Sequence, residues 1–228
     1  MKKIIGKFAV AIFALSAFWG SQANAALIGI GASAPDMQFL SSTVTYVYDS
    51  GASTGVLTIA NSFASQWKDE SGTNYTRNPF DTDGANPTNF NVSLLLTATI
   101  DSLGQIVSSG VNTIVMNGIM NFTPYNISVV TDLLTASVDQ VGFDSGAGAL
   151  DFVGTVSGGH PDIANLFGQV GVIASSTNFS SWTQDFSSFI SPVDVTTPVT
   201  AVPVPAGFPL MVLGFALLLR KTRFVKTS

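Results

Sequence analysis

The chain has 228 residues, no cysteine and a formal charge of −5. The missing thiols exclude a disulfide framework, a thiolate nucleophile and a cysteine-based zinc site. All 14 acidic residues lie between Asp36 and Asp194, where only Lys68 and Arg77 are basic. That stretch repels polyanions, which excludes nucleic-acid binding as a function.

Residues 1–25 have the order of a secretory signal peptide. Lys2, Lys3 and Lys7 form a charged start, Phe8 to Trp19 an apolar run, and Ala23 and Ala25 the small residues at −3 and −1 for cleavage before Ala26. The apolar run is about 12 residues, short of the roughly 20 that span a bilayer.

Residues 26–190 read as a β-rich passenger domain. Thr43 to Tyr48 alternates, with Val44, Tyr46 and Tyr48 on one face. Gly51 to Gly55 is a turn, and Val56 to Ala60 returns as the second arm of a hairpin. The strongest period-2 signal places Phe90, Val92, Leu94, Leu96, Ala98 and Ile100 on one face. Asn91, Ser93, Thr97, Thr99 and Asp101 face the other way, and Leu95 interrupts that polar face.

Asp101 to Gly104 predicts a turn into a strand at Gln105 to Ser108. Further strands are expected at Val111 to Met116, Leu133 to Val138, Ala149 to Val156 and Val170 to Ala174, separated by Gly, Asn, Asp and Ser. One short helix is expected at Asp162 to Phe167, with Pro161 just ahead of it and Gly168 as its stop. Trp182, Phe186 and Phe189 fit either a helical turn or an edge strand. Together these elements predict an all-β fold, an antiparallel β-sandwich with a β-barrel as the alternative.

From 191 to 201 the composition turns to Pro, Val and Thr, which reads as an extended linker. Residues 202–228 then hold a Pro-containing motif (Val202, Pro203, Val204, Pro205, Ala206), an apolar run from Gly207 to Leu219, and a basic cluster at Arg220, Lys221, Arg223 and Lys226. As a helix, Ala206 to Leu219 is roughly 21 Å long, against a hydrocarbon thickness of about 30 Å. So short a transmembrane helix suits a transient anchor, with the cationic end on the cytoplasmic side.

That order resembles the PEP-CTERM class of bacterial sorting signals, and most closely its VPLPA-CTERM variant. Val204 stands where the variant has Leu and the main class Glu, and five residues follow Arg223. The resemblance implies export, temporary retention in the membrane, and processing by an exosortase near Val202 to Ala206. It further implies delivery to the cell surface or extracellular matrix, often alongside exopolysaccharide. Segments such as Leu96 to Asp101 and Val153 to Gly159 also look like those of the β-rich passengers carried by such signals.

The passenger's own chemistry is sparse. His160, the only histidine, has Ser157 and Asp162 nearby, but triad members converge from separate elements, so a loop or helix-entry residue is the expectation. Asp81, Asp83 and Asn86 around Gly84 are the best candidates for holding Ca²⁺. Ala85 and Pro87 depart from a calcium loop, and such clusters are ordinary turns. Glu70, the sole glutamate, sits beside Asp69 in a polar loop, and no carboxylate pair for glycoside hydrolysis is evident. Trp67, Tyr75, Tyr125 and Trp182 would suit a sugar-binding strip if exposed, although aromatics are more often core or rim residues.

The expectation is therefore an exported, non-enzymatic surface or matrix protein without a cofactor. Its partners would be the export machinery, an exosortase, the membrane and possible exopolysaccharide. A carbohydrate-binding module is the alternative.

Overall fold

The computed structural model describes residues 27–31, 33–60, 62–77, 89–144, 148–175, 181–190 and 192–200. The strands, in chain order, are β1 (Ile30–Gly31), β2 (Asp36–Leu40), β3 (Ser42–Asp49), β4 (Thr54–Ala60), β5 (Phe63–Lys68), β6 (Asn74–Thr76), β7 (Asn89–Asp101), β8 (Asn112–Asn121), β9 (Ile127–Asp144), β10 (Ala149–Gly158), β11 (Gln169–Ala174), β12 (Phe186–Ile190), β13 (Val193–Thr196) and β14 (Val199–Thr200). One helix, α1 (Pro161–Ala164), lies between β10 and β11.

Apart from β1 and β14, the strands form one 12-stranded antiparallel sheet in the order β12-β3-β4-β7-β8-β9-β10-β11-β13-β2-β5-β6. The predicted alternation is its basis. Phe90, Val92, Leu94, Leu96, Ala98 and Ile100 of β7 are all buried, and the residues between them face outward. Every long strand contributes such a set to a single apolar cluster, from Val44 and Tyr46 of β3 to Met37 and Phe39 of β2 and Trp67 of β5. One cluster fed from both ends of the strand order requires a sheet rolled around its own inner face, as sheets of more than about 10 strands tend to be.

The barrel alternative is corrected here. Among the described residues β12 and β6 are the two edges, and no ladder joins them. The chain itself does the closing. It turns a corner from β2 to β3 through Ser41, at a φ of 59°. It turns again between β4 and β5, where the Ser62 hydroxyl donates to the Leu94 carbonyl (3.1 Å) and accepts the Leu94 N–H (3.2 Å). A third passage leads from β12 to β13 within a few residues. Neighbours at one end of the strand order, β12-β3-β4, are thus bonded through the chain to β13-β2-β5 at the other.

On the opposite side the 18-residue β9 carries the bend. Register shifts interrupt its pairing with both β8 and β10, and such bulges bend a strand and strengthen its twist. Gly118 of β8 sits in one of these irregular stretches, at a φ of 156°, where Asn91 and Val92 of β7 leave no room for a side chain.

Other expectations are sharpened. The β3–β4 hairpin forms with Asp49 opposite Thr54. Gly104 turns the chain at a φ of 82°, its N–H donating to the Asp101 carbonyl. The strand expected at 105–108 reduces to a single bridge between Ile100 and Ile106, because the Asp101 carboxylate draws the Leu103 and Gln105 N–H groups into a tight loop. The helix is shorter and earlier than the predicted 162–167, beginning with Pro161 in its first turn. Phe186 and Phe189 lie in the edge strand β12, so the strand reading holds and the helical one does not.

The sheet also reaches into the stretch read as a linker. Val193–Thr196 forms β13, paired with β11 on one side and β2 on the other. Val199–Thr200 pairs with Ile30–Gly31 as a separate two-stranded ribbon. The segment before β2 is fixed by two side chains. Asp151 accepts the N–H groups of Ile28 (3.0 Å) and Gly29 (2.8 Å), while Thr196 Oγ1 accepts the Ser33 N–H and donates to the Ser33 carbonyl.

A Cβ at Gly118 would overlap the Asn91 carbonyl oxygen and crowd the Val92 α-carbon, both main-chain atoms that cannot swing aside. Gly118→Ala is expected to destabilise the fold by about 3 kcal/mol, read as a lower urea midpoint at unchanged slope. Wild-type stability in the variant would contradict the tight β7–β8 crossing.

Candidate functional site

Among the described residues, the sequence-predicted ones do not converge. His160 is the N-cap of α1: its Nδ1 accepts the Asp162 N–H at 3.4 Å and lies 3.8 Å from the Asp162 carboxylate. The Ser157 hydroxyl donates instead to the Thr135 carbonyl, so no serine–histidine pair forms. Asp69 closes its own turn, accepting from the Ser71 hydroxyl (2.6 Å), the Thr73 N–H (2.9 Å) and the Tyr75 hydroxyl (3.2 Å). These bonds, that from Ser71 foremost, hold its carboxyl below the ordinary value.

Trp67 and Trp182 are buried and belong to the core. Trp67 Nε1 donates to the Tyr125 hydroxyl at 3.2 Å, and Tyr75 and Tyr125 pack on Phe122. The two tryptophans are thus not available to an exposed strip, while Tyr75 and Tyr125 are half-buried. The calcium candidates Asp81, Asp83 and Asn86, the cleavage residues Ala23 and Ala25, the motif Val202 to Ala206 and the basic residues Arg220, Lys221 and Arg223 lie outside the described residues. Among the described residues no group of three or more His, Asp or Glu side chains is placed to hold a metal ion, and no helix is long and apolar enough to cross a membrane.

The structure brings together two carboxylates that sequence reading missed. Asp36 of β2 and Asp194 of β13 alternate with core residues, so both lie on the outer side of the sheet. In register, Asp36 stands opposite Thr196 and Lys68, and Gln38 opposite Asp194. Gln38 Nε2 donates to Asp194 at 3.4 Å, whereas Asp36 Oδ1 is buried without a hydrogen-bond partner. Burial, then the negative charge of Asp194, pushes the Asp36 carboxyl up to about 6, with Lys68 opposing. Burial also raises Asp194, against the bond from Gln38. Only strand pairing brings these residues together, from positions more than 150 apart.

A larger feature is the outer face of β12-β3-β4-β7-β8-β9-β10. Read across the registers, Ser187 stands opposite Thr45, Thr45 opposite Thr58 and Thr58 opposite Thr97. Thr97 in turn faces Thr113, Thr113 faces Ser137 and Ser137 faces Thr155. One row of hydroxyls thus crosses the sheet at the inter-strand spacing of about 4.8 Å. Apolar side chains flank it. Val47 and Val56 (63% and 42% exposed) form one side; Phe189 and Leu95 (66% and 46% exposed) stand on the other.

Strands β12, β4 and β8 hold no charged residue, and β3 and β7 hold only Asp49 and Asp101 at their turn ends. The row ends at Asp139, which accepts from the hydroxyls of Ser137 (3.0 Å) and Thr155 (2.6 Å). An open hollow of about 580 Å³ lies beside it, lined by Asn112, Thr113, Ser137 and Asp139 among others. Alternation shows Thr97 and Thr99 as outward-facing, but the row itself depends on registers that a single strand does not reveal.

Compared with known proteins, the chain matches no family model, no curated protein and no solved structure.

Asp36 gives a pH dependence of definite sign. The unfolded carboxyl loses its proton near 4 and the folded one near 6. Between these values the folded state binds more protons, so this group's contribution to stability falls as pH rises. Asp36→Asn should therefore match the wild type in melting temperature at pH 4. It should exceed it by a few degrees at pH 7, the gap opening between pH 4 and 6. A constant gap at all pH values would contradict the assignment.

Proposed function

We propose that the chain is an exported, non-enzymatic protein of the bacterial surface or extracellular matrix. In this reading residues 1–25 direct export, and the apolar run from Gly207 to Leu219 holds the chain in the membrane for a time. An exosortase then processes it near Val202 to Ala206. The observation that carries the reading is the order of the tail, a Pro-containing motif, an apolar run and a basic cluster. It begins two residues past β14, which pairs with β1 in a separate two-stranded ribbon.

The commitments of the polar side chains support a role without catalysis. His160 caps a helix, Asp69 closes a turn and Asp151 secures the chain before β2. We read the rolled sheet as the sandwich the alternation predicts, β12-β3-β4-β7-β8 facing β10-β11-β13-β2-β5-β6, with β9 turning between the layers.

The second reading, a module engaging exopolysaccharide, loses the two tryptophans of its aromatic strip to the core. The uncharged hydroxyl face favours it instead.

Intact mass of the protein recovered from cell surface and medium tests the sorting. The mature species is expected to begin at Ala26 and to end within 203–206. A mature chain still ending at Ser228 would contradict processing.

A further inference from the structure

We propose that the outer face from β12 to β10 binds an extended, uncharged glycan lying across the strands, with its end in the hollow beside Asp139. This rests on the exopolysaccharide reading, and it names the surface and the charge class of the ligand.

Charge selects the partner. The passenger is strongly acidic, yet the outer side of β12, β4 and β8 carries no ionisable group. Among the described residues the basic side chains are Lys68 and Arg77, which sit in and after the β5–β6 pair, at the other end of the strand order. A polyanion would find no cation along the row and would meet Asp139 at its end. A neutral polymer pays no cost of that kind.

Hydroxyl chemistry selects the polymer. Each Ser or Thr hydroxyl both donates and accepts, as sugar hydroxyls do. From Ser187 to Thr155 the row runs roughly 29 Å at the inter-strand spacing, with one hydroxyl for about each pyranose unit of an extended chain. The apolar residues on either side, Val47 and Val56, Phe189 and Leu95, are exposed and offer contact to the C–H faces of the rings. At the end, Asp139 already accepts from Ser137 and Thr155. Its remaining lone pairs are suited to the hydroxyls of a terminal sugar, while the Asn112 amide beside it accepts the Thr99 N–H and donates to the Val107 and Gly110 carbonyls.

The test uses the full chain in mild detergent, measured for retention on insoluble β-glucan and on immobilised neutral glucomannan, with a uronate polymer in parallel. Retention on one or both neutral polymers and none on the uronate is expected. The triple variant Thr58→Val, Thr97→Val, Thr113→Val keeps the β-branched shape and deletes three hydroxyls, so it should keep its melting temperature. Its affinity should fall at least tenfold, as the loss of several modest hydrogen bonds implies.

Unchanged affinity in the triple variant, preference for the uronate polymer, or no binding to either neutral polymer would overturn the proposal. So would self-association of the wild type that the triple variant abolishes, since the occupant would then be a second copy of the chain. Processing of the tail in cells is read separately by intact mass. Loss of glycan binding with normal processing would remove this inference and leave the sorting reading standing.

Discussion

The structure depends on shutting one long apolar sheet face against itself without a covalent cross-link. Each large side chain taken from water contributes about 1.5–3 kcal/mol, and the inner face supplies such residues from almost every strand. A flat sheet would leave that face wet. Hydrogen bonds between the edges do not solve the problem, because β12 and β6 do not pair. Chain connectivity does, through the short corners at Ser41, between β4 and β5, and between β12 and β13. Specific bonds hold the β4–β5 corner and the segment that leads into β12. Ser62 takes both main-chain groups of Leu94, and the Tyr46 hydroxyl donates to the Trp182 carbonyl at 2.9 Å from within the core.

The acidic composition follows from the same economy. With two basic residues in the domain, carboxylates cannot be satisfied by ion pairs. Among the described residues the one contact of that type is His160 with Asp162. Main-chain N–H groups take that role instead. Asp49 accepts from Gly51, Asp101 from Leu103 and Gln105, Asp185 from Tyr48, and Asp151 from Ile28 and Gly29. These bonds place charge at turns and chain ends, while β12, β4 and β8 carry none. Asp36 is the exception, a carboxyl taken partly out of water without a donor, and its raised pKa is the consequence.

Much of the fold was legible because alternation is local. Phe90 to Ile100, Val44 to Tyr48 and Val170 to Ala174 carry their inward residues at every second position, and each is a strand with that face buried. Short or interrupted strands were not legible. Phe63–Lys68 and Asn74–Thr76 have no clean alternation; β2 supplies the pairing of the first, and the first supplies that of the second. Val193–Thr196 was hidden by its prolines, yet Pro192 and Pro198 lie just outside the strand, where a missing N–H costs little. The candidate sites divide in the same way. His160 as a helix cap follows from its neighbours, whereas the hydroxyl row and the Asp36–Asp194 pair exist only through the registers.

Whether the chain truly closes the sheet turns on β13. Hydrogen–deuterium exchange of the full chain in mild detergent measures this directly at residues 193–196. If β13 is held between β11 and β2, its amides exchange as slowly as those of Gln169–Ala174. Exchange within seconds, as an extended linker would give, would contradict the corner-closed sheet on which this account stands.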